Sequence, residues 1–184
     1  MAKSITSLLI GAAIKEGKIK SVDEAVGNYL PEFKEGLAAE LKIKDLLTMS
    51  SGSNWDESYA NPLSVTTESY YGTDLYKTAT GVKIVKKPGT YHTYKSGDTE
   101  LLGLVIEKAT GRSLSEYASE KLWQPLGAGQ PALWSTDREK GNEKAFCCFN
   151  SNARDFARIG QLMLDSGKWK GNTIIDSAYY VQSI

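Results

Sequence analysis

The sequence contains almost no cysteine and almost no histidine. Its only cysteines, Cys147 and Cys148, are adjacent, and its one histidine is His92. Adjacent cysteines rarely form a bridge, and they lack the C-x-x-C spacing of a zinc or redox site. We therefore expect two structural thiols that bind no metal and that do not identify a compartment. His92 has no acidic residue at an obvious partner spacing, which argues against a Ser-His-Asp triad.

Long apolar runs and runs of like charge are also missing. The longest apolar stretch, Leu8 to Ile14, is interrupted by Gly11 and is shorter than the roughly 20 residues that cross a bilayer. Basic and acidic residues number 22 each, with no basic run, so nothing indicates a nucleic-acid groove. The sequence therefore predicts no membrane span and no nucleic-acid partner, and it favours a small-molecule or peptide ligand.

The sequence does contain strong helical periodicity, beginning at its first residue. Apolar side chains recur at helical spacing from Ile5 to Ala13, while Ile10 and Ile14 occupy the opposite side. A helix that is apolar nearly all round is usually buried between two layers. We predict this central helix over residues 1–17, short helices and loops over 18–150, and a helix with a C-terminal segment over 151–184. The whole is predicted to be mostly helical, with long loops and almost no strand.

Capping patterns predict the ends of further helices. The segment SVDE, Ser21 to Glu24, matches a capping box and predicts a short helix. Asp98 is placed to cap the helix TELLGLVIEKAT, which should stop at Gly111. Ser113 and Glu116 form a second capping box and should open the next helix.

Two polar residues stand at the starts of apolar helices. Lys3 enters the first helix, and Tyr94 follows the turn KKPGT just before the next long one. A lysine at a helix start often extends its amine to solvent, and a loop tyrosine is more often a packing residue than a catalyst. The loop over residues 54–67 is polar and aromatic. Its residues Trp55 and Tyr59 either border a cleft or simply cover the helices.

Together these stretches resemble the serine β-lactamase and penicillin-binding-protein superfamily, specifically its class C-like branch. There a nucleophilic serine begins an S-x-x-K step at the start of a buried helix, commonly S-x-A-K-S, and MAKS supplies all but the first letter. Lys3 would be the motif lysine, and the serine would lie one position before Met1. The second family motif, Y-x-N or Y-x-S, matches Tyr94 and Ser96. The stretches IKDLLTMSSGSNWDE and AFCCFNSNARDFARIGQLMLDSG agree in order and spacing.

Two elements of that family are absent from the sequence. No intact S-x-x-K occurs, and no K-T-G or H-x-G strand follows the helices. The resemblance therefore implies a mainly α fragment of the α/β serine β-lactamase and DD-peptidase fold, namely a helical domain plus the central buried helix, without the flanking sheet strands. Met1 would be an internal methionine. We expect the first helix to be partly exposed, or covered by a second chain or copy.

The chemistry implied by the resemblance is acyl transfer on an ester, amide or β-lactam carbonyl, with no metal and no cofactor. Lys3 would act as the base, and Tyr94 would pass a proton to the leaving group or share the role of base. Ser96 would hydrogen-bond the substrate or the lysine, and Trp55 and Tyr59 would contact the small-molecule or peptide-like acyl substrate. Because the serine is missing, we expect the chain alone to be inactive.

Three other interpretations are open at this point. The chain could be a catalytically dead helical domain used for binding or scaffolding, or one half of a split protein whose other chain supplies the serine and the strands. It could also be a plain helical interaction module, in which case Lys3 and Tyr94 should lie far apart. The sequence does not separate β-lactam, peptide, ester and short-amide substrates, and it does not fix a compartment.

Overall fold

The protein is built from eight α-helices and two very short β-hairpins in a computed structural model that describes residues 1–184. The helices are α1 (Ala2–Lys15), α2 (Ile43–Leu47), α3 (Val65–Tyr71), α4 (Leu75–Thr80), α5 (Ser96–Thr110), α6 (Leu114–Ala118), α7 (Ala153–Leu164) and α8 (Ser177–Gln182). Single 3-10 turns span Val26–Asn28, Pro31–Phe33 and Gly36–Glu40, and a π-helical turn, Ser119–Trp123, extends α6.

Strand structure is limited to two antiparallel pairs. Strand β1 (Leu133–Trp134) pairs with β2 (Phe149–Asn150), and β3 (Lys168–Trp169) pairs with β4 (Asn172–Thr173). The expectation of a mostly helical chain with almost no strand is confirmed. None of the helices has the length and apolar character needed to cross a membrane.

Helix α1 is the centre of the hydrophobic core. Nine of its residues are buried, from Ala2 to Ala13, and it packs against α5, α6 and α8. Only Ser4 and Lys15 are exposed along its length. The expectation that the apolar surface of this helix is partly exposed is therefore wrong. The chain's own C-terminal segment covers α1, because Ile175 and Tyr179 pack directly on Gly11.

The contact at Gly11 predicts a large difference between two glycine substitutions. A Cβ atom at Gly11 would lie 2.6 Å from both Ile175 Cγ2 and Tyr179 Cδ1, so Gly11→Ala should lower the free energy of unfolding by about 1–3 kcal/mol through overpacking. Gly160 lies within α7 and has no neighbouring atom within 4 Å, so Gly160→Ala should raise it by about 0.5–1 kcal/mol. Urea unfolding of both variants checks this, and equal effects would contradict the close contact at Gly11.

Helix α5 lies beside α1 and carries the second family-like motif at its start. Its C-terminal end is as predicted, since Gly111 has a left-handed φ of 70° and its N–H bonds to the Glu107 carbonyl. Its N-terminal end is not, because the helix begins at Ser96 with Lys95 in the cap position. Asp98 is instead buried in the first turn.

The two predicted capping boxes have different outcomes. The box of Ser113 and Glu116 is present and opens α6. The helix that the box at Ser21–Glu24 should open does not form, and the chain before Pro31 contains only the 3-10 turn Val26–Asn28. The chain is held extended there because Ala25 pairs with Lys42 across an isolated bridge.

The two cysteines lie between the short strands and the core. They form a disulfide between adjacent residues, so the expectation of two unpaired thiols is wrong. The backbone bends at this point, and Cys148 has a left-handed φ of 61°. That bend lets the two neighbouring side chains meet, which the spacing rule for cysteines does not anticipate.

Candidate active site

Lys3 lies in the first turn of α1 with its amine turned into the protein. Its Nζ donates to Ser96 Oγ at 3.3 Å and to the Phe146 carbonyl at 3.0 Å. A lysine that simply extended to solvent would make neither bond. The structure thus brings Lys3 together with Ser96 and Phe146, which lie 93 and 143 positions further along the sequence.

Tyr94 lies on the open side of the same lysine. The Lys3 Nζ is 5.3 Å from the centroid of the Tyr94 ring and 5.5 Å from that of Phe146, within the range of a cation–π contact. Tyr94 is 52% exposed, whereas Ser96 is 1% exposed. Lys3 contacts the tyrosine ring and makes no hydrogen bond to its hydroxyl. The two residues are neighbours, which argues against a plain interaction module in which they would lie far apart.

Glu57 completes this cluster, and the sequence interpretation did not single it out. Its Oε2 accepts from the Ser96 backbone N–H at 2.7 Å, and its Oε1 accepts from Ser96 Oγ and from the Tyr59 hydroxyl, each at 2.6 Å. Burial acts to raise the pKa of Glu57, but the hydrogen bonds from Ser96 and Tyr59 outweigh it and the pKa falls below its usual range. Glu57 is therefore a carboxylate.

The amine of Lys3 sits between two opposing electrostatic influences. Burial lowers its pKa below the ordinary value for lysine, while Glu57, Glu100 and Asp98 oppose that shift. Burial has the larger effect, so the net direction is downward. A lysine with a lowered pKa is neutral in a larger fraction of molecules, which a general base requires.

The Phe146 carbonyl is held in place by its neighbour Ala145. The Ala145 carbonyl accepts from Thr6 Oγ1 at 3.1 Å, and its N–H donates to Glu100 Oε2 at 2.8 Å. Glu100 is completely buried, and burial raises its pKa well above the usual range. The segment before the disulfide is therefore fastened to both α1 and α5, and this fixes one acceptor of Lys3.

The aromatic residues of the predicted cleft loop occupy two different environments. Tyr59 is 62% exposed beside Glu57, and its ring lies 6.3 Å from that of Tyr70, which packs edge-on against Phe146 at 5.2 Å. Trp55 is only 4% exposed, and its indole N–H donates to Thr66 Oγ1 at 2.9 Å. Tyr59 therefore borders the open side of the site, while Trp55 supports the site from within the core.

Asp98 is a buried acid in the first turn of α5, two residues after Ser96. Its side chain is almost inaccessible, Oδ1 accepts from Ser51 Oγ at 2.6 Å, and Oδ2 has no partner. Burial raises the pKa of Asp98 from 3.8 to about 6, and the hydrogen bond from Ser51 opposes this only in part. The folded protein therefore holds this proton more tightly than the unfolded chain does.

Replacing Asp98 by asparagine should stabilise the protein above pH 6 and leave it almost unchanged at pH 4. Since the folded pKa is the higher one, the contribution of Asp98 to stability falls as the pH rises from about 4 through 6. The asparagine never ionises, so Asp98→Asn should gain about 2–3 kcal/mol at pH 7.5 relative to the natural chain. Urea unfolding at pH 4 and pH 7.5 measures this, and an equal difference at both pH values would contradict it.

Fold and site together define a class of protein. A buried central helix carries a lysine in its first turn, and a tyrosine and a serine from the start of a neighbouring helix face that lysine. This is the helical part of the fold shared by serine β-lactamases and penicillin-binding proteins. Residues 1–168 match the family model described as Beta-lactamase, and the chain belongs to that family.

Individual relatives agree with this assignment. The chain is 27% identical over 195 residues to a 6-aminohexanoate-dimer hydrolase of Paenarthrobacter ureafaciens, a match that covers 100% of this chain and 49% of the relative. A solved structure assigned as a 6-aminohexanoate-dimer hydrolase from Bacillus anthracis superposes with a TM-score of 0.79 at 26% identity, covering 98% of this chain and 50% of that one.

A more distant structure shares the fold. The octameric penicillin-binding protein homologue from Pyrococcus abyssi has a TM-score of 0.68 at 21% identity, covering 98% of this chain and 46% of that chain. The chain thus spans about half the length of these relatives.

Proposed function

We propose that residues 1–184 form the lysine and tyrosine side of a serine acyl-hydrolase site. The observation that carries this proposal is the buried amine of Lys3, held by Ser96 Oγ and the Phe146 carbonyl and flanked by the ring of Tyr94. In this proposal the nucleophile is a serine three residues before Lys3, which is the spacing of the S-x-x-K motif and corresponds to about one helical turn. No S-x-x-K step occurs within residues 1–184, and we therefore propose that this chain alone carries out negligible hydrolysis.

The reaction is acyl transfer in two halves. The serine oxygen forms a bond to the carbonyl carbon, its proton passes to Lys3 Nζ, and the carbonyl π electrons move to oxygen. The tetrahedral adduct collapses, the carbonyl re-forms, and the bond to the leaving group breaks as that group takes, through Tyr94, the proton that Lys3 had accepted, which returns Lys3 to its neutral form. Water then attacks the acyl-enzyme while its proton passes to Lys3, and the second adduct collapses to the acid as that proton returns to the serine oxygen.

The proposed substrate is an amide or ester of a small acyl group. A relative that is a 6-aminohexanoate-dimer hydrolase supports an amide or a related bond as the one that is cleaved. Tyr59 and Tyr70 border the open side of the site, and we assign them to substrate contact. Trp55 holds the loop that carries Glu57 and Tyr59 in place. It does not contact the substrate itself.

A serine-supplied version of the chain tests the proposal. We define the serine-extended chain as residues 1–184 with a short leader ending in serine placed directly before Met1. A fluorophosphonate reagent should label that serine, whereas the unextended chain should show neither labelling nor hydrolysis of p-nitrophenyl acetate or a chromogenic cephalosporin. Turnover by the unextended chain that depends on Lys3 and Tyr94 would overturn the proposal.

A second observation separates the proposal from a split protein. If another polypeptide supplies the serine and the strands, it should co-purify with this chain from its natural source, and the mixture should hydrolyse the same esters. A dead binding or scaffold domain predicts no labelling of the serine-extended chain and no activity in such a mixture.

A further inference from the structure

The hydrogen bonds around Lys3 form a directed series. A carboxylate only accepts hydrogen bonds, and Glu57 Oε1 lies 2.6 Å from Ser96 Oγ. The Ser96 hydroxyl must therefore donate to Glu57, and its oxygen is left to accept from Lys3 Nζ at 3.3 Å. Glu57 thus decides the direction of a bond that it does not itself make.

That direction has a consequence for the amine. A neutral lysine has two N–H bonds and one lone pair, arranged tetrahedrally. Both N–H bonds have acceptors here, namely Ser96 Oγ and the Phe146 carbonyl. The lone pair must then occupy a remaining tetrahedral direction, and so is available to an incoming hydroxyl. Ser96 and the Phe146 carbonyl thereby orient the lone pair of the Lys3 amine, as long as Ser96 accepts a hydrogen bond from it.

We propose that Glu57 is the positioning residue of the lysine base. Through Ser96 it fixes how the amine of Lys3 donates, and its negative charge stabilises the ammonium that forms when Lys3 takes the proton. This inference rests on the proposed function and deepens it. The arrangement is analogous to the acid of a Ser-His-Asp triad, which orients its histidine and stabilises the cation without taking the proton.

The contacts of Glu57 suit it to this role better than those of the other nearby acids. Both of its oxygens are engaged, with Ser96 N–H on Oε2 and Tyr59 O–H on Oε1 in addition to Ser96 Oγ. Asp98 and Glu100 also influence Lys3, but their hydrogen bonds run to Ser51 and to Ala145 N–H, away from the lysine. Only Glu57 is joined to Lys3 through a single intervening hydroxyl.

Several other groups face this cluster and belong in any pH experiment. Tyr94 lies against the lysine, Tyr70 of α3 and Tyr59 lie near Glu57, and Lys95 lies close enough to feel its charge. Asp98 and Glu100 of α5 complete the set. Their contributions are common to all variants compared below, so differences between variants report on Glu57.

Amine labelling of Lys3 in the 184-residue chain tests the proposal without any catalytic assay. The chain is treated briefly with acetic anhydride at a series of pH values, and acetylation of Lys3 is followed by mass spectrometry of its peptide. In Glu57→Gln the pH midpoint for Lys3 should shift downward, because the stabilising charge is gone and the glutamine amide can donate to Ser96. Asp56→Asn is the matched control, since it removes one acid from the neighbouring exposed position and should leave the midpoint unchanged.

Glu57→Asp is a second variant, which keeps the test decisive if Glu57→Gln does not fold. It keeps the charge but shortens the side chain by one methylene, so its midpoint should fall between those of Glu57→Gln and the natural chain. A midpoint in folded Glu57→Gln or Glu57→Asp equal to that of the natural chain would overturn the inference, as would an equal shift in Asp56→Asn. Failure of the proposed function shows separately, as absent labelling of the serine-extended chain.

Discussion

Replacing Trp55 by alanine is expected to lower the free energy of unfolding by about 3–5 kcal/mol, the usual cost of removing a buried aromatic side chain. Trp55 is 4% exposed and its ring covers α5 so closely that a Cβ at Gly97 would meet ring carbons at under 3 Å. The indole N–H also bonds to Thr66, whose hydroxyl in turn donates to the Asp56 carbonyl at 2.7 Å. Loss of the ring removes both packing and an anchor of the loop.

The measurement is urea unfolding of Trp55→Ala beside two comparison variants. Trp55→Phe keeps most of the ring volume and should retain much of the stability. Tyr71→Ala removes an aromatic that is 85% exposed and should change the free energy of unfolding by less than about 0.5 kcal/mol. A Trp55→Ala variant as stable as Tyr71→Ala would show that the indole packs loosely and is free to contact substrate.

Trp55 and Tyr59 illustrate what the sequence can and cannot predict about this loop. Both belong to the same short stretch, and the sequence leaves open whether they border a cleft or cover the helices. Which of the two is buried depends on where α5 passes, and no local pattern in a loop without periodicity encodes that position. The close approach of Gly97 to Trp55 buries the indole, and Gly97 lies some forty positions further along the sequence.

The difference between local and distant contacts also explains which of the other sequence predictions hold and which fail. The capping box at Ser113 and the left-handed glycine at Gly111 are predicted correctly, because both depend on neighbours in sequence. The equally local box at Ser21 fails because the bridge between Ala25 and Lys42, which is not local, holds that segment extended. The periodicity of α1 indicates that the helix is buried, but it does not identify the residues that pack on it. The contacts of Ile175 and Tyr179 with α1 are therefore not predictable from the helix alone.

Glu57 was missed for a related reason. An acid between Asp56 and Tyr59 in an exposed-looking loop has no spacing that links it to Ser96, thirty-nine residues away. The sequence predicts Lys3, Tyr94 and Ser96 as site residues because the motifs of a known family carry them. The pair of acids Asp56 and Glu57 within an aromatic loop was the only available signal, and it does not say which acid turns inward.

Replacing Lys3 by alanine is expected to slow labelling of the serine-extended chain by about 10²–10⁴-fold, the range over which a positioned general base acts. The neutral serine is a weak nucleophile near pH 7, and no other group donates to both Ser96 and the Phe146 carbonyl. Lys15→Ala is the control, because Lys15 lies at the far end of the same helix and is exposed. It should label at the rate of the unaltered serine-extended chain.

The pH dependence distinguishes loss of a base from general damage to α1. A lysine base works only when neutral, so the labelling rate of the serine-extended chain should rise with pH and level off above the pKa of Lys3. Burial places that pKa below the ordinary lysine value. In Lys3→Ala the levelling should disappear and the residual rate should follow hydroxide. A variant that kept the same midpoint at a reduced rate would assign the proton transfer to another group and leave Lys3 a purely structural role.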